Sequence, residues 1–121
     1  MTKHIPVLLR ETIDGLHLEK GNIVVDATLG GGGHTLAMLE RVLPDGRLIA
    51  LDTDEEAITR FQSGLVDVPW AMEAFRTGRL VVTNENYARL SLVLDSVGVP
   101  KVDAVCADLG FSSDQIEASE R

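Results

Sequence analysis

The chain has 121 residues, 45% of them hydrophobic, and its 19 acidic and 11 basic side chains leave a net charge of −8. That is the length of one domain with enough apolar content to bury a core, which excludes a disordered chain. The acidic balance excludes a whole-surface electrostatic grip on nucleic acid, leaving room for a local basic patch or for one carried by a part of the protein outside these residues. A single cysteine, Cys106, excludes an internal disulfide framework and a multi-thiolate zinc site, and the three widely separated histidines indicate no metal centre. The apolar runs are too short for a membrane span or a signal peptide, so the expected setting is the cytoplasm, with no membrane partner.

In chain order, Pro6 to Leu16 predicts a first helix, with proline tolerated in its first turn and Gly15 near its end. Ile23-Val24-Val25 is a short β-branched run ended by Asp26, the pattern of a buried strand. Four glycines, Gly30 to Gly33, must then form a loop. From His34 the pattern turns helical, with Leu36, Leu39 and Leu43 on a shared face up to the turn Pro44-Asp45-Gly46. Arg47 to Leu51 predicts a second buried strand ending at Asp52. Thr53 or Asp54 can cap a third helix that opens with Glu55 and Glu56 and turns Ala57, Ile58 and Phe61 inward.

The stretch from Gly64 to Gly78 is the least patterned, with a short helix expected around Ala71 to Phe75. Arg79 to Val82 predicts a third strand. Tyr87 to Val97 predicts a helix with Leu90, Val93, Leu94 and Val97 inward, and Val102 to Ala107 a fourth strand, ended by Asp108. Cys106, inside that apolar run, reads as an inert buried thiol.

Apolar strands alternating with amphipathic helices make βαβ units and a parallel sheet, hence an α/β fold. Right-handed crossovers bring the carboxyl ends of all the strands to one edge, where open α/β sheets bind their ligands. Those ends carry Asp26, Asp52, Asn84 to Asn86 and Asp108. A presumed strand order of 3-2-1-4 leaves strand four at an edge, which invites a homodimer through that edge.

The loop Asp26-Ala27-Thr28-Leu29-Gly30-Gly31-Gly32-Gly33-His34 lies between the first strand and its helix. Glycines there let a ligand approach the backbone, and a helix start offers N–H groups to an anion. A phosphate-binding P-loop needs Lys-Ser/Thr after its last glycine, and His34-Thr35 stands there instead. A dinucleotide fingerprint places Thr35 or Leu36 where its third glycine must allow close helix–strand contact, which disfavours NAD. S-adenosyl-L-methionine is the third option: Asp26 suits its ammonium side, and Asp52 can accept both ribose hydroxyls. Asp108-Leu109-Gly110-Phe111 places an acid and an aromatic at a strand end, as do enzymes that methylate exocyclic amino groups of bases, though without their two prolines.

Taken together, four segments resemble one family, the ribosomal small-subunit RNA cytosine N4-methyltransferases of the RsmH (MraW) type. They are His4-Ile5-Pro6-Val7-Leu8-Leu9, Asp26 to Thr35, Leu48 to Asp54, and Asp108-Leu109-Gly110-Phe111-Ser112-Ser113-Asp114-Gln115. The resemblance runs in order across almost the whole chain. It implies a Rossmann-like S-adenosylmethionine-dependent methyltransferase fold, with residues 1–121 as the amino-terminal part of the cofactor-binding domain. The helical substrate domain and remaining strands of such an enzyme would follow after residue 121.

By that resemblance Gly32, Gly33 and His34 contact the methionine part of the cofactor, Asp52 the ribose and Tyr87 the adenine. Asp108 and Gln115 complete the pocket, with Asp108 also beside the transferred methyl as the catalytic residue. The implied partner is small-subunit ribosomal RNA or the small ribosomal subunit. Three positions depart from the family pattern: Gly31 for a bulkier residue, Phe111 for a small aliphatic and Asp114 for proline. The expectation for this chain alone is weakened cofactor binding with little or no methyl transfer. The other reading is a non-catalytic Rossmann-like module that binds a nucleotide or a partner.

Overall fold

The structure is a computed structural model that describes residues 17–27, 29 and 33–106. Four parallel strands form one sheet: β1 (Ile23–Asp26), β2 (Arg47–Asp52), β3 (Leu80–Asn84) and β4 (Ala104–Cys106), in the order β3-β2-β1-β4. This is the order expected from the sequence. The chain steps outward twice from β1, then returns to β1's other side.

The connecting helices follow from that path. The sheet face bearing Val24, Leu48, Ala50, Leu80 and Cys106 is covered by three helices: α1 (Gly33–Val42), α2 (Glu55–Gly64) and α3 (Pro69–Thr77). The other face, with Val25, Ile49, Leu51 and Val105, meets Leu90, Val93 and Leu94 of α4 (Leu90–Ser96). A right-handed crossover that reverses direction must change face, so α4 lies opposite the first three. Strands buried on both faces need continuous apolar runs, and Leu48 to Leu51 are all fully buried.

Local chemistry sets the ends of the elements. Asp54 caps α2 by accepting the Glu56 N–H at 2.9 Å, and Ala57, Ile58 and Phe61 are its buried residues, both as predicted. In α1 the fully buried positions are Thr35, Met38, Leu39 and Val42, one helical face. Leu36 and Leu43, expected at its centre with Leu39, flank it half-buried. Thr35 takes the inner place because its hydroxyl has a partner there.

The unpatterned stretch 65–78 folds as a 3₁₀ turn, Leu65–Asp67, followed by α3, which is longer than the helix expected around Ala71 to Phe75. Pro69 opens α3, and Gly78, at φ 88°, closes it in the left-handed conformation that a Cβ disfavours. Trp70 is 41% exposed.

β3 begins at Leu80 and runs to Asn84, two residues past the expected end, because β2 offers partners that far: Leu51 pairs with Thr83 and Asp52 with Asn84. The segment expected as a helix from Tyr87 starts as a 3₁₀ turn, Tyr87–Arg89, before α4. At the foot of the sheet Asp103 locks the last described strand to the first. Its Oδ2 accepts the Ile23 N–H at 2.8 Å and its own N–H donates to the Ile23 carbonyl at 2.7 Å. Cys106 is buried, as expected. The predicted first helix, Pro6 to Leu16, and residues Gly30 to Gly32 lie outside the described residues.

Candidate functional site

The register brings acidic strand ends to one edge and one face. Asp26 stands level with Ala50 and Cys106, and Asp52 level with Asn84. Asp52 therefore projects two residues beyond Asp26, roughly 6–7 Å along the strand direction. Side chains alternate along a strand, so Asp26, Asp52 and Asn84 share the face that α1 to α3 cover. α1 and α2 both begin at this edge.

The two carboxylates have different surroundings. Asp26 is only 1% exposed, and its Oδ2 accepts the hydroxyl of the fully buried Thr35 at 2.5 Å. Burying a carboxylate is unfavourable without such hydrogen bonds. This bond joins the end of β1 to the first turn of α1, closing the connection that holds the glycines. The connection is also hung on both neighbouring strands. The Ala27 N–H donates to the Cys106 carbonyl at 2.8 Å, and the Leu29 N–H to the Leu51 carbonyl at 3.2 Å.

Asp52 is half-buried at the rim, and its Oδ1 accepts the Asp54 N–H at 2.8 Å. Its backbone carbonyl accepts from Asn84 Nδ2 at 3.0 Å. Two successive turns, at Asp52 and at Asp54, thus carry the chain from β2 into α2 and hold the Asp52 carboxylate in one orientation. A carboxylate so placed can accept hydroxyl groups of a ligand lying across the edge.

The two helix starts differ in charge. The first turn of α2 contains Glu55 and Glu56 behind the Asp54 cap, whereas the first turn of α1 contains no acid. The N–H groups at the α1 end, at Gly33 and His34, therefore suit an anionic group brought by a ligand. His34 itself is half-buried.

Beyond β3, Tyr87 is 41% exposed on a turn that its neighbours hold. Asn86 Oδ1 accepts the Ala88 N–H at 2.8 Å, and Arg89 pairs with Glu85 at 3.1 Å. An exposed ring on a fixed turn at this edge can lie against a planar group.

Of the predicted site residues, Asp26, Gly33, His34, Asp52 and Tyr87 come together at the carboxyl edge. Gly32, Asp108 and Gln115 lie outside the described residues. The sequence reading missed two partners. Thr35 figured there in the failed P-loop and dinucleotide fingerprints and at the end of a resembling segment, without a partner of its own, although a hydroxyl residue one turn into a helix that follows a buried acid was the available signal. Asn84, placed at the edge in general terms, has a specific role in bonding Asp52. Among the described residues no group of three or more His, Cys, Asp or Glu side chains could hold a metal ion, and no helix is long and apolar enough to cross a membrane.

Comparisons with known proteins bear on the fold and the family. The ribosomal RNA small subunit methyltransferase H of Christiangramia forsetii is 40% identical over all 121 residues, and the chain spans 36% of that relative's length. Among solved structures, a SAM-dependent O-methyltransferase from Thermotoga maritima superposes with a TM-score of 0.65 at 18% identity, over 84% of this chain and 34% of that one. TrmN from Thermus thermophilus gives 0.66 at 19% identity, over 84% and 27%. At those identities the structural matches establish the fold, the Rossmann-like fold of S-adenosylmethionine-dependent methyltransferases. The family model described as the MraW methylase family matches residues 1–121, and the chain belongs to that family.

Proposed function

We propose that this chain forms the S-adenosyl-L-methionine-binding part of an enzyme that methylates the N4 amino group of a cytosine in small-subunit (16S) ribosomal RNA. The observation that carries the proposal is the edge itself: in a chain of the MraW methylase family, a buried acid ends β1, a rim acid ends β2, and the intervening helix starts without an acid. Those features fit the cofactor's charges in order.

In this reading the carboxylate of the methionine end lies at the start of α1, against Gly32, Gly33 and His34, and its ammonium lies toward Asp26. Asp52 accepts the ribose hydroxyls, with its orientation already set by the Asp54 N–H. Tyr87 lies on the adenine. The bound cofactor supplies an electrophilic methyl on sulfur. Asp108, the catalytic residue of this reading, accepts from the N4 amino group, whose lone pair is otherwise delocalised into the base. Aligning those N–H bonds favours a more tetrahedral nitrogen and aims its lone pair. As the N4 nitrogen bonds the methyl, the methyl–sulfur bond would break and leave a neutral thioether, and the nitrogen would pass its proton to the Asp108 carboxylate or on to water; Gln115 completes the cofactor pocket.

The partner is small-subunit ribosomal RNA, free or in the small ribosomal subunit, and the setting is the cytoplasm. A homodimer formed along β4 is the remaining part of this reading, and sedimentation of the purified chain tests it. Calorimetric titration of the 121-residue chain with S-adenosylmethionine, with NAD as control, tests the central claim. Saturable binding of S-adenosylmethionine alone is the expected result. Binding of neither ligand by a folded chain, or of NAD in preference, overturns it.

A further inference from the structure

Threonine hydroxyls inside helices usually turn back onto their own helix, as two do here: Thr59 donates to the Glu55 carbonyl at 3.0 Å and Thr77 to the Glu73 carbonyl at 2.9 Å. Thr35 behaves differently. It is fully buried in the first turn of α1, and its hydroxyl crosses to β1 to meet the Asp26 carboxylate. The two residues are nine apart, and the chain between them contains the glycine run. This bond ties the end of β1 directly to the start of α1, beside the backbone bonds of Ala27 and Leu29, and it helps to orient the buried carboxylate.

The candidate site divides into two halves that use different elements. In the cofactor reading, Asp26 at the end of β1 and Gly33 and His34 at the start of α1 serve the amino-acid end of the cofactor. The ends of β2 and β3, with Asp52 and Tyr87, face the nucleoside end. Thr35 belongs only to the first half, and the bonds that hold Asp52 and Tyr87 in place do not pass through it.

We propose that Thr35 is a positioning residue of the cofactor site, whose hydroxyl holds the Asp26 carboxylate and the α1 start in register so that the amino-acid end of the cofactor is recognised. The proposal rests on the cofactor reading given above. It makes a prediction that a purely structural role does not: loss of the hydroxyl weakens recognition of one half of the ligand and spares the other.

The test compares two probes on the 121-residue chain by calorimetry. S-adenosylhomocysteine carries both halves, and 5′-methylthioadenosine carries the nucleoside without the amino-acid end. Thr35→Val replaces the hydroxyl by a methyl of nearly the same size. It should weaken S-adenosylhomocysteine binding by about 10-fold or more, the weight of one charge-assisted hydrogen bond, and leave 5′-methylthioadenosine within about twofold. Thr35→Ser, which keeps the hydroxyl, should restore the wild-type ratio of the two affinities. Unchanged S-adenosylhomocysteine binding by Thr35→Val overturns the proposal, and so do equal losses on both probes. If valine abolishes the thermal unfolding transition, Thr35→Ala, which leaves room for a water against the carboxylate, undergoes the same comparison under the same criteria. Failure of the wild-type chain to bind either probe refutes the cofactor reading itself, and is thereby distinguished from failure of the Thr35 assignment.

Discussion

Replacing Gly46 by alanine should destabilise the fold by about 2–3 kcal/mol without touching the candidate site, a net figure built from the steps below. Gly46 is buried in the turn between α1 and β2, and an added Cβ would lie 2.3 Å from the Asn22 carbonyl oxygen, 2.6 Å from the Val42 carbonyl oxygen and 2.7 Å from Val42 Cβ. The closest of these is about 1 Å short of ordinary contact. Two of the three obstacles are backbone atoms, which no rotamer change can clear. Both carbonyls are also engaged: Val42 accepts from Gly46 at 2.8 Å and from Gly21 at 2.9 Å, and Asn22 accepts from Arg47 at 3.1 Å. Moving them aside weakens three backbone hydrogen bonds, each worth about 1 kcal/mol net. Alanine returns only about 0.4–1 kcal/mol by restricting the unfolded chain, so the clash wins. Urea unfolding followed by circular dichroism measures the difference, and the matching thermal shift is a fall of about 10 °C in Tm. Gly46 lies at the amino edge of the sheet, so S-adenosylhomocysteine affinity measured well below the transition should not change. A variant within about 0.5 kcal/mol of wild type would refute the reasoning from close packing, since that is the ordinary scatter of surface substitutions.

Two further substitutions probe the β2–α2 junction. Asp52→Asn keeps an oxygen for the Asp54 N–H but removes the charge, so α2 should remain capped while S-adenosylmethionine affinity falls by about 1–3 kcal/mol, roughly 5- to 150-fold. Unchanged calorimetric affinity in the folded variant would remove Asp52 from the site. Asp54→Ala deletes the cap on the Glu56 N–H and should lower stability by about 1 kcal/mol, seen as a reduced urea midpoint at an unchanged slope. An unmoved midpoint would show that the cap contributes nothing.

The strands were legible because each is a short apolar run, ended by an acid in β1 and β2, and their alternation with helices left few topologies to consider. α2 was legible for a local reason: its cap and its three buried residues lie within eight positions of one another. Features set by distant partners were not legible. The extra length of β3 depends on β2 offering Leu51 and Asp52 as neighbours. The inner face of α1 turns on Thr35, whose burial makes sense only once Asp26 is known to meet it. Asp103 was swept into an expected strand, yet it bonds Ile23 through its carboxylate, which no periodicity could reveal. At the candidate site the same division holds. Asp26 and Asp52 were both readable as strand-end acids. That one is sealed and the other stands at the rim follows from how far each strand runs, a property of the pairing.

The strand order also has a consequence for how the chain folds. β1 meets β2 through partners 24 residues apart and β2 meets β3 through partners 32 apart, whereas Ile23 and Asp103 bond across 80 residues. Closing that last loop costs about 1 kcal/mol more in chain entropy than closing the first. The two near pairings are thus the favoured early ones, and the β4 pairing is the favoured late one. During synthesis, β1 to β3 with Asp26, Asp52 and Tyr87 can be assembled once the first ninety or so residues are available, before β4 docks against β1. The half of the edge that carries Asp52 and Tyr87 is complete at that stage. The β1–β4 pairing, extended where the Ala27 N–H meets the Cys106 carbonyl, is the last part of the described fold to close.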